Sequence, residues 1–239
     1  MKVVIQCAAS KNDRAGKLTT TSGEPVLFVA NPGVCPSVPW GLRYARPDDS
    51  CGANGTTWRD VLTRYNEQPE NPCDICRAAD LYRPNEHEFR KLYCELADTF
   101  GWDHVFILSA GWGLIRATFR TPDYNITFST QAKKDKAWAW RNTKDSSSVW
   151  LDFNHLQEAQ ISQDEPIHFF GGKDYCPLFY SLVASLPGKK IVHYKGNVAR
   201  RHGFEYAEYM GSEKNRTWHY RAAKEFLAQR AFVNNDVSQ

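Results

Sequence analysis

Four short apolar runs punctuate an otherwise polar chain: Val3–Cys7, His104–Ser109, Pro166–Phe170 and Lys189–Tyr194. Each has the length of a buried strand and is too short for a buried helix. Three of them end in small or polar residues, at Ala8-Ala9-Ser10, Ala110-Gly111 and Gly171-Gly172. Elsewhere the apolar spacing lengthens to the helical repeat. Glu86–Phe100 carries Phe89, Leu92, Tyr93, Leu96 and Phe100 at that spacing. Val149–Ala159 is amphipathic, Tyr175–Leu186 is strongly apolar, and Trp218–Phe232 closes the chain. Strands alternating with helices predict an α/β fold whose largely parallel sheet is covered on both faces. Ligands of such sheets bind at the carboxyl ends of the strands, where the small-residue turns collect.

The stretch from Asn12 to Arg83 breaks this rhythm. It is rich in Pro, Gly, Asn, Asp and Thr, with one strand-like run at Val26–Ala30. Such length without regular structure predicts an ordered insertion or lid within a single domain spanning residues 1–239. Lys133–Ser148 is a second polar excursion, and Trp138 and Trp140 predict that it docks on another part of the molecule.

At 239 residues and 42% hydrophobic, the chain can bury an ordinary core as one domain. The net charge is only +3, but it is unevenly placed. Between Lys189 and Arg230 ten Lys/Arg face four Glu, which leaves +6 there and −3 on the remainder. A basic C-terminal face on a near-neutral body fits a polyanionic partner, although a solvated helix face produces the same pattern. The N-terminus has no secretory apolar region, and nothing is long and apolar enough to span a membrane. With seven cysteines, an odd number, the expectation is a reducing, cytoplasmic setting.

The chemistry concentrates at the strand ends. After the first strand, small residues admit a ligand to the backbone near Cys7, and Ser10 and Lys11 can donate to an anion; the GxxxxGK[ST] pattern of a phosphate loop is absent. Ser109, Gly111, Trp112 and Gly113 end the second run, where Trp112 offers a flat face of the kind a flipped base requires. Asp123, Tyr124 and Asn125 follow. A carboxylate there can activate water or stabilise positive charge on a sugar, whereas the Asn125 amide can only orient water or read a base edge. The bland alternative is an Asx-type turn with Trp112 in the core. At the third strand end, Phe169, Gly171, Gly172, Lys173 and Tyr175 combine glycine N–H groups at a helix start with a cation and a phenol. Lys173 can act as an electrostatic clamp or a Schiff-base nucleophile. Cys35, Cys51, Cys73 and Cys76 all fall in the insertion. They are candidate ligands of a structural zinc, with His87 as a competitor, or else four separate thiols.

Taken in order, Cys7-Ala-Ala-Ser-Lys11, Ile107-Leu-Ser-Ala-Gly-Trp-Gly-Leu114, the Asp-Tyr-Asn loop and Gly171-Gly-Lys-Asp-Tyr175 resemble a bacterial and phage family of peroxide-stress-like proteins. That family looks like a divergent branch of the uracil-DNA glycosylase superfamily. Its relatives include a domain of archaeosine-type tRNA enzymes and anti-phage glycosylases that remove glucosylated hydroxymethylcytosine. The similarity covers roughly Met1–Ala9 and Phe89–Tyr194. It implies a three-layer sandwich around a central, mostly parallel four-stranded sheet. It also implies a DNA glycosylase of antiviral defence that leaves an abasic site, with no cofactor required for catalysis and no obligate protein partner.

On that reading Asn125, Asp123 and Lys173 carry the catalysis. Cys7, Ser10, Lys11, Ser109, Gly111, Trp112, Gly113, Tyr124, Phe169, Gly171, Gly172 and Tyr175 form the base pocket. Arg14, Lys17, Lys195, Arg200, Arg201, Lys214 and Arg216 hold DNA phosphates. The chain departs from the family pattern at Asn125, where the family usually has an aspartate. Either this amide positions water, or the chain is a disabled variant. Two other classes remain open: a non-catalytic DNA-binding stress protein, and an N-glycosidase or deoxyribosyltransferase acting on free nucleotides.

Overall fold

The structure, a computed structural model, describes residues 1–37, 41–52, 54–143, 149–212 and 217–236, the last six of these as backbone. The chain opens with β1 (Lys2–Gln6), β2 (Val26–Val29) and β3 (Arg43–Ala45), then α1 (Trp58–Glu67), α2 (Ala78–Leu81) and α3 (Leu92–Phe100). β4 (Val105–Ser109), β5 (Gly113–Arg116) and β6 (Tyr124–Asn125) lead to α4 (Thr130–Asp135). β7 (Phe153–Asn154) runs directly into α5 (His155–Glu158), followed by β8 (Ile167–Phe170), α6 (Cys176–Val183), β9 (Lys190–Tyr194), β10 (Glu205–Glu208) and α7 (Trp218–Asp236).

Seven strands form the main sheet in the order β10-β9-β8-β1-β4-β5-β7. Every pairing in it is parallel except that of β4 with β5. The sheet therefore has seven strands and not the four expected. The four apolar runs are its middle, β9-β8-β1-β4, and each lies within one residue of the expected bounds. The additions lie outside them: β5 is buried at Gly113, Leu114 and Ile115 but is only four residues long and ends on Arg116, while β7 and β10 are the edges, where the sequence signal is weak. β10, Glu-Tyr-Ala-Glu, exposes both of its charged ends, as an edge strand that must resist further pairing does. The central strands are sealed on both faces. Phe169 stacks on Phe179 of α6 at 4.2 Å, while its neighbour Phe170 points the other way, 5.3 Å from Phe226 of α7. α3 packs beside α7 on that second face.

The insertion is ordered. β2 pairs in parallel with β3 and with β6 to make a three-stranded sheet. Leu18, Val26, Phe28, Trp58, Leu62 and Tyr82 from this region join one hydrophobic cluster with β1 and β4. α1 begins at a capping box, in which the Thr57 hydroxyl accepts from the Asp60 N–H and the Asp60 carboxylate accepts from the Thr57 N–H. The second polar excursion docks on the insertion: Asn31 donates its amide to the Ala137 and Trp140 carbonyls at 2.9 and 3.0 Å. Residues 144–148 of that excursion lie outside the described residues.

The helix expected over Val149–Ala159 is replaced by β7 and the single turn α5. Asp152 is drawn into a bidentate pair with Arg141, at 2.9 and 2.5 Å, and the Phe153 N–H donates to the Trp112 carbonyl at 2.9 Å. These bonds extend the backbone and leave Val149 and Leu151 exposed. No helix among the described residues is long and apolar enough to cross a membrane.

Three imidazoles are buried in this core and that of His193 is half-buried, and desolvation lowers each from the ordinary 6.5: His155 and His168 to about 4, His193 and His219 to about 3. The unfolded chain then binds protons that the folded one refuses. The contribution of these histidines to stability is complete above pH 6.5 and is lost as pH falls towards these values. The thermal midpoint should therefore drop steadily between pH 6.5 and pH 4, and a flat profile across that window would contradict the burial.

Candidate active site

The turn from Ser109 to Gly113 is held from inside the protein. The Ser109 hydroxyl accepts the N–H groups of Gly111 and Trp112 at 3.3 and 3.1 Å and donates to the Tyr124 phenol at 2.9 Å. The guanidinium of Arg59 donates to the carbonyls of Trp112 and Gly111, both at 3.0 Å, and Arg141 donates to that of Ala110 at 2.8 Å. Asp48 and Asp152 neutralise these two buried arginines. Trp112 is fully buried, edge-on to Phe28 at 4.9 Å and stacked with Phe153. It is a core residue and presents no face to a ligand. Gly113 has φ +88°, and a Cβ there would sit 2.6 Å from the Phe153 carbonyl. This glycine serves the strand pairing of β5 with β7.

Strand geometry divides the Asp123–Asn125 segment. Tyr124 points inward, and its phenol meets those of Tyr82 at 3.0 Å and the Cys7 thiol at 3.3 Å. Burial pushes the phenols of Tyr82, Tyr124 and Tyr175 well above their ordinary value, so all three are neutral donors. Alternation turns the neighbouring Asp123 and Asn125 to the opposite side, where Asp123 pairs with Lys17 at 3.7 Å. Lys11 lies over the Tyr124 ring at 4.2 Å, and burial pulls its ammonium below the usual lysine range.

The open site lies elsewhere at this end of the sheet. Strand order reverses at β1, with β4 on one side and the later β8 on the other, which is where open α/β sheets bind ligands. A cleft of about 980 Å³ opens there beside the ends of β1, β8 and β9. Of the expected residues, Cys7, Ser10, Gly172, Lys173, Tyr175 and Lys195 line it; Lys11, Ser109, Gly111, Trp112, Gly113, Asp123, Tyr124, Asn125, Phe169 and Gly171 do not. Phe169 is fully buried against α6, and a Cβ at Gly171 would meet its ring at 2.3 Å. The Gly172 N–H is already taken by the Gln6 side chain at 2.6 Å. Tyr175 reaches the Cys7 thiol at 3.2 Å and Phe128 edge-on at 4.9 Å.

The opposite wall comes from segments that gave no local signal. Ser10 donates to Asn85, which with Glu86 forms one rim. Thr127 and Gln131 form another, and Trp218, His219 and Tyr220 at the start of α7 close the third. Glu86 and Asp174 are the carboxylates lining the cleft among the described residues, and Lys173 and Lys195 are its cations. The site can therefore offer an aromatic surface, amide hydrogen bonds, two acids and two positive charges to one ligand.

The described residues of the basic segment are not gathered on one face. Lys189 and Lys190 enter β9 at the end remote from the cleft, and Lys189 pairs with Glu205 at 3.2 Å. Arg221 and Lys224 hold Glu88. Arg200 and Arg201 are exposed on the cleft side of β9, over the rings of Tyr206 and Tyr180. Arg14 is exposed, and Lys17 is engaged by Asp123. Lys214 and Arg216 lie outside the described residues. Among the described residues no group of three or more His, Cys, Asp or Glu is placed to hold a metal ion. Cys35, Cys51 and Cys76 contact Asn31, Thr56 and Asn12, and these three and Cys73 are all free thiols. Comparisons with protein-family models, curated proteins and solved structures found no match to this chain.

Proposed function

We propose that the protein is a DNA glycosylase working in the cleft at the ends of β1, β8 and β9. The observation that carries this reading is the make-up of that cleft: Tyr175 and Trp218 beside the amides of Asn85, Gln131 and Asn197, two carboxylates, and two lysines. A flipped base stacks on the aromatic surface and is read by the amides. Lys173 and Lys195 hold flanking phosphates.

In the reaction the C1′–N bond breaks, and its electron pair leaves with the base. Water adds to C1′, a carboxylate takes one of its protons and passes it on to the departing base anion, and the neutral base and an abasic site remain. The charge that develops on the sugar is stabilised by Asp174 or Glu86, which takes over the role the resemblance gives to residue 125. The resemblance points to glucosylated hydroxymethylcytosine in phage DNA, and a cleft of about 980 Å³ has room for a sugar-bearing base.

Incubating the protein and its Asn125→Asp variant with unmodified, hydroxymethylated and glucosylated DNA tests this directly. Abasic sites are expected from both proteins, at similar rates, because Asn125 lies outside the cleft. If neither protein produces abasic sites on any substrate, the proposal fails.

The scatter of the basic residues favours a second reading, an N-glycosidase or deoxyribosyltransferase of free nucleotides. Neutralising Arg200 and Arg201 separates the two. A DNA glycosylase loses DNA affinity, and its log–log salt dependence becomes shallower by about one unit per phosphate contact removed. An enzyme of free nucleotides keeps its activity. Salt-dependent DNA binding that survives Glu86→Gln and Asp174→Asn, without base release by the parent protein, identifies the non-catalytic alternative.

A further inference from the structure

We propose that a second cleft, at the opposite end of the sheet, binds a small anion carrying a flat ring, of which a 5′-mononucleotide is the closest fit. β5 runs antiparallel to β4, so Arg116 at its end lies opposite Phe106, near the start of β4 and away from the first cleft. Here a cleft of about 550 Å³ opens between α1, the Thr118–Arg120 turn and β7–α5. That volume lies within the range of small-molecule sites.

One wall is aromatic. Phe119, Phe153 and His155 pack together with ring centres 4.6 to 5.2 Å apart. Phe119 and Phe153 are only partly buried, so ring surface faces the cleft. His155 is 7% exposed, and its Nδ1 accepts the Arg116 N–H at 3.3 Å. That bond places the ring proton on Nε2, for which the described residues provide no partner. Burial keeps the imidazole neutral, at about 4, so Nε2–H is a donor offered to a ligand at ordinary pH.

The other side is cationic. Arg120 is clamped by the carbonyls of Gln68, Pro69 and Glu70 at 2.6 to 2.9 Å and meets no carboxylate among the described residues. Arg116 touches Glu158 only at 3.9 Å, and Glu158 is 62% exposed. An anion displaces so loose a pair at little cost. Arg77, tied to Asp80 at 2.7 Å, supplies the third guanidinium. The exposed Glu67 and Glu158 also line the cleft, which favours a ligand with one compact anionic group over an extended polyanion.

Calorimetric titration of the full chain with dCMP, inorganic phosphate and deoxycytidine tests the site, using the parent protein, Arg116→Gln, Arg116→Lys and Lys173→Ala. The expected result is that dCMP binds at least about tenfold more tightly than either half alone. Arg116→Gln should weaken dCMP binding by about tenfold or more, while Arg116→Lys weakens it less. Lys173→Ala, in the first cleft, should leave it unchanged. Absence of saturable dCMP binding at millimolar concentration overturns the proposal, as does binding that Lys173→Ala abolishes and Arg116→Gln does not. The first outcome leaves the glycosylase reading of the first cleft untouched, and the second would place dCMP in that cleft and favour an enzyme of free nucleotides there.

Discussion

Arg59→Met should cost the protein about 3–5 kcal/mol of stability, because it leaves charges and carbonyls buried without their partner. Arg59 is 4% exposed and bonds at once to Asp48, to the carbonyls of Gly111 and Trp112 and, at 3.7 Å, to Asp152. A methionine fills much of the volume but offers no donor, so two carbonyls and a carboxylate lose their hydrogen bonds inside the core. Denaturant unfolding of the parent and the variant measures the difference through a shift in midpoint at constant slope. A loss below about 1 kcal/mol, the size of a surface pair, would show that the arginine is not what holds the turn. Asp152→Asn tests the same network from the acidic side and should also destabilise, since Arg141 would lose its charged partner.

The second large effect concerns turnover. On the proposed glycosylase activity, one of Asp174→Asn and Glu86→Gln should slow base release by on the order of 10²–10³-fold while DNA binding persists, because each removes charge at the cleft and leaves shape intact. Single-turnover release of the free base, measured beside DNA affinity, separates the loss of chemistry from the loss of binding. If both variants keep their rates within about threefold, neither carboxylate faces the reacting sugar, and the chemistry must be sought in another group.

The middle of the sheet is legible in the sequence because a parallel strand buried on both faces is apolar at every position. Val3-Val4-Ile5 and Val105–Leu108 carry that signature without ambiguity. β5, β7 and β10 lack it: each is short, lies towards an edge and draws its order from pairing partners. The site was legible where its residues follow a strand directly, as Cys7, Ser10, Lys173 and Tyr175 do. Asn85, Glu86 and the start of α7 reach the same cleft only through the tertiary fold, and no local pattern marks them.

The Gly-Trp-Gly turn shows the converse. Small residues around a tryptophan look like a platform for a ligand, yet the two arginines that occupy its carbonyls lie 53 and 31 residues away in sequence. What distinguishes a ligand-binding turn from a structural one here is the long-range partner, and the turn itself does not encode it.

The register that joins Lys2 to Ile167 sets an order of assembly. β1 sits at the centre of the main sheet, but the β8 strand it pairs with follows it in the chain by 165 residues. Until β8 joins it, one edge of β1, apolar from Val3 to Ile5, has no mate and is open to pairing with another molecule. Pairing of strands 165 residues apart in the chain makes formation of the central sheet slow. Yield in a cell should depend on chaperones that shield the nascent Val3–Ile5 segment more than on the stability of the finished fold.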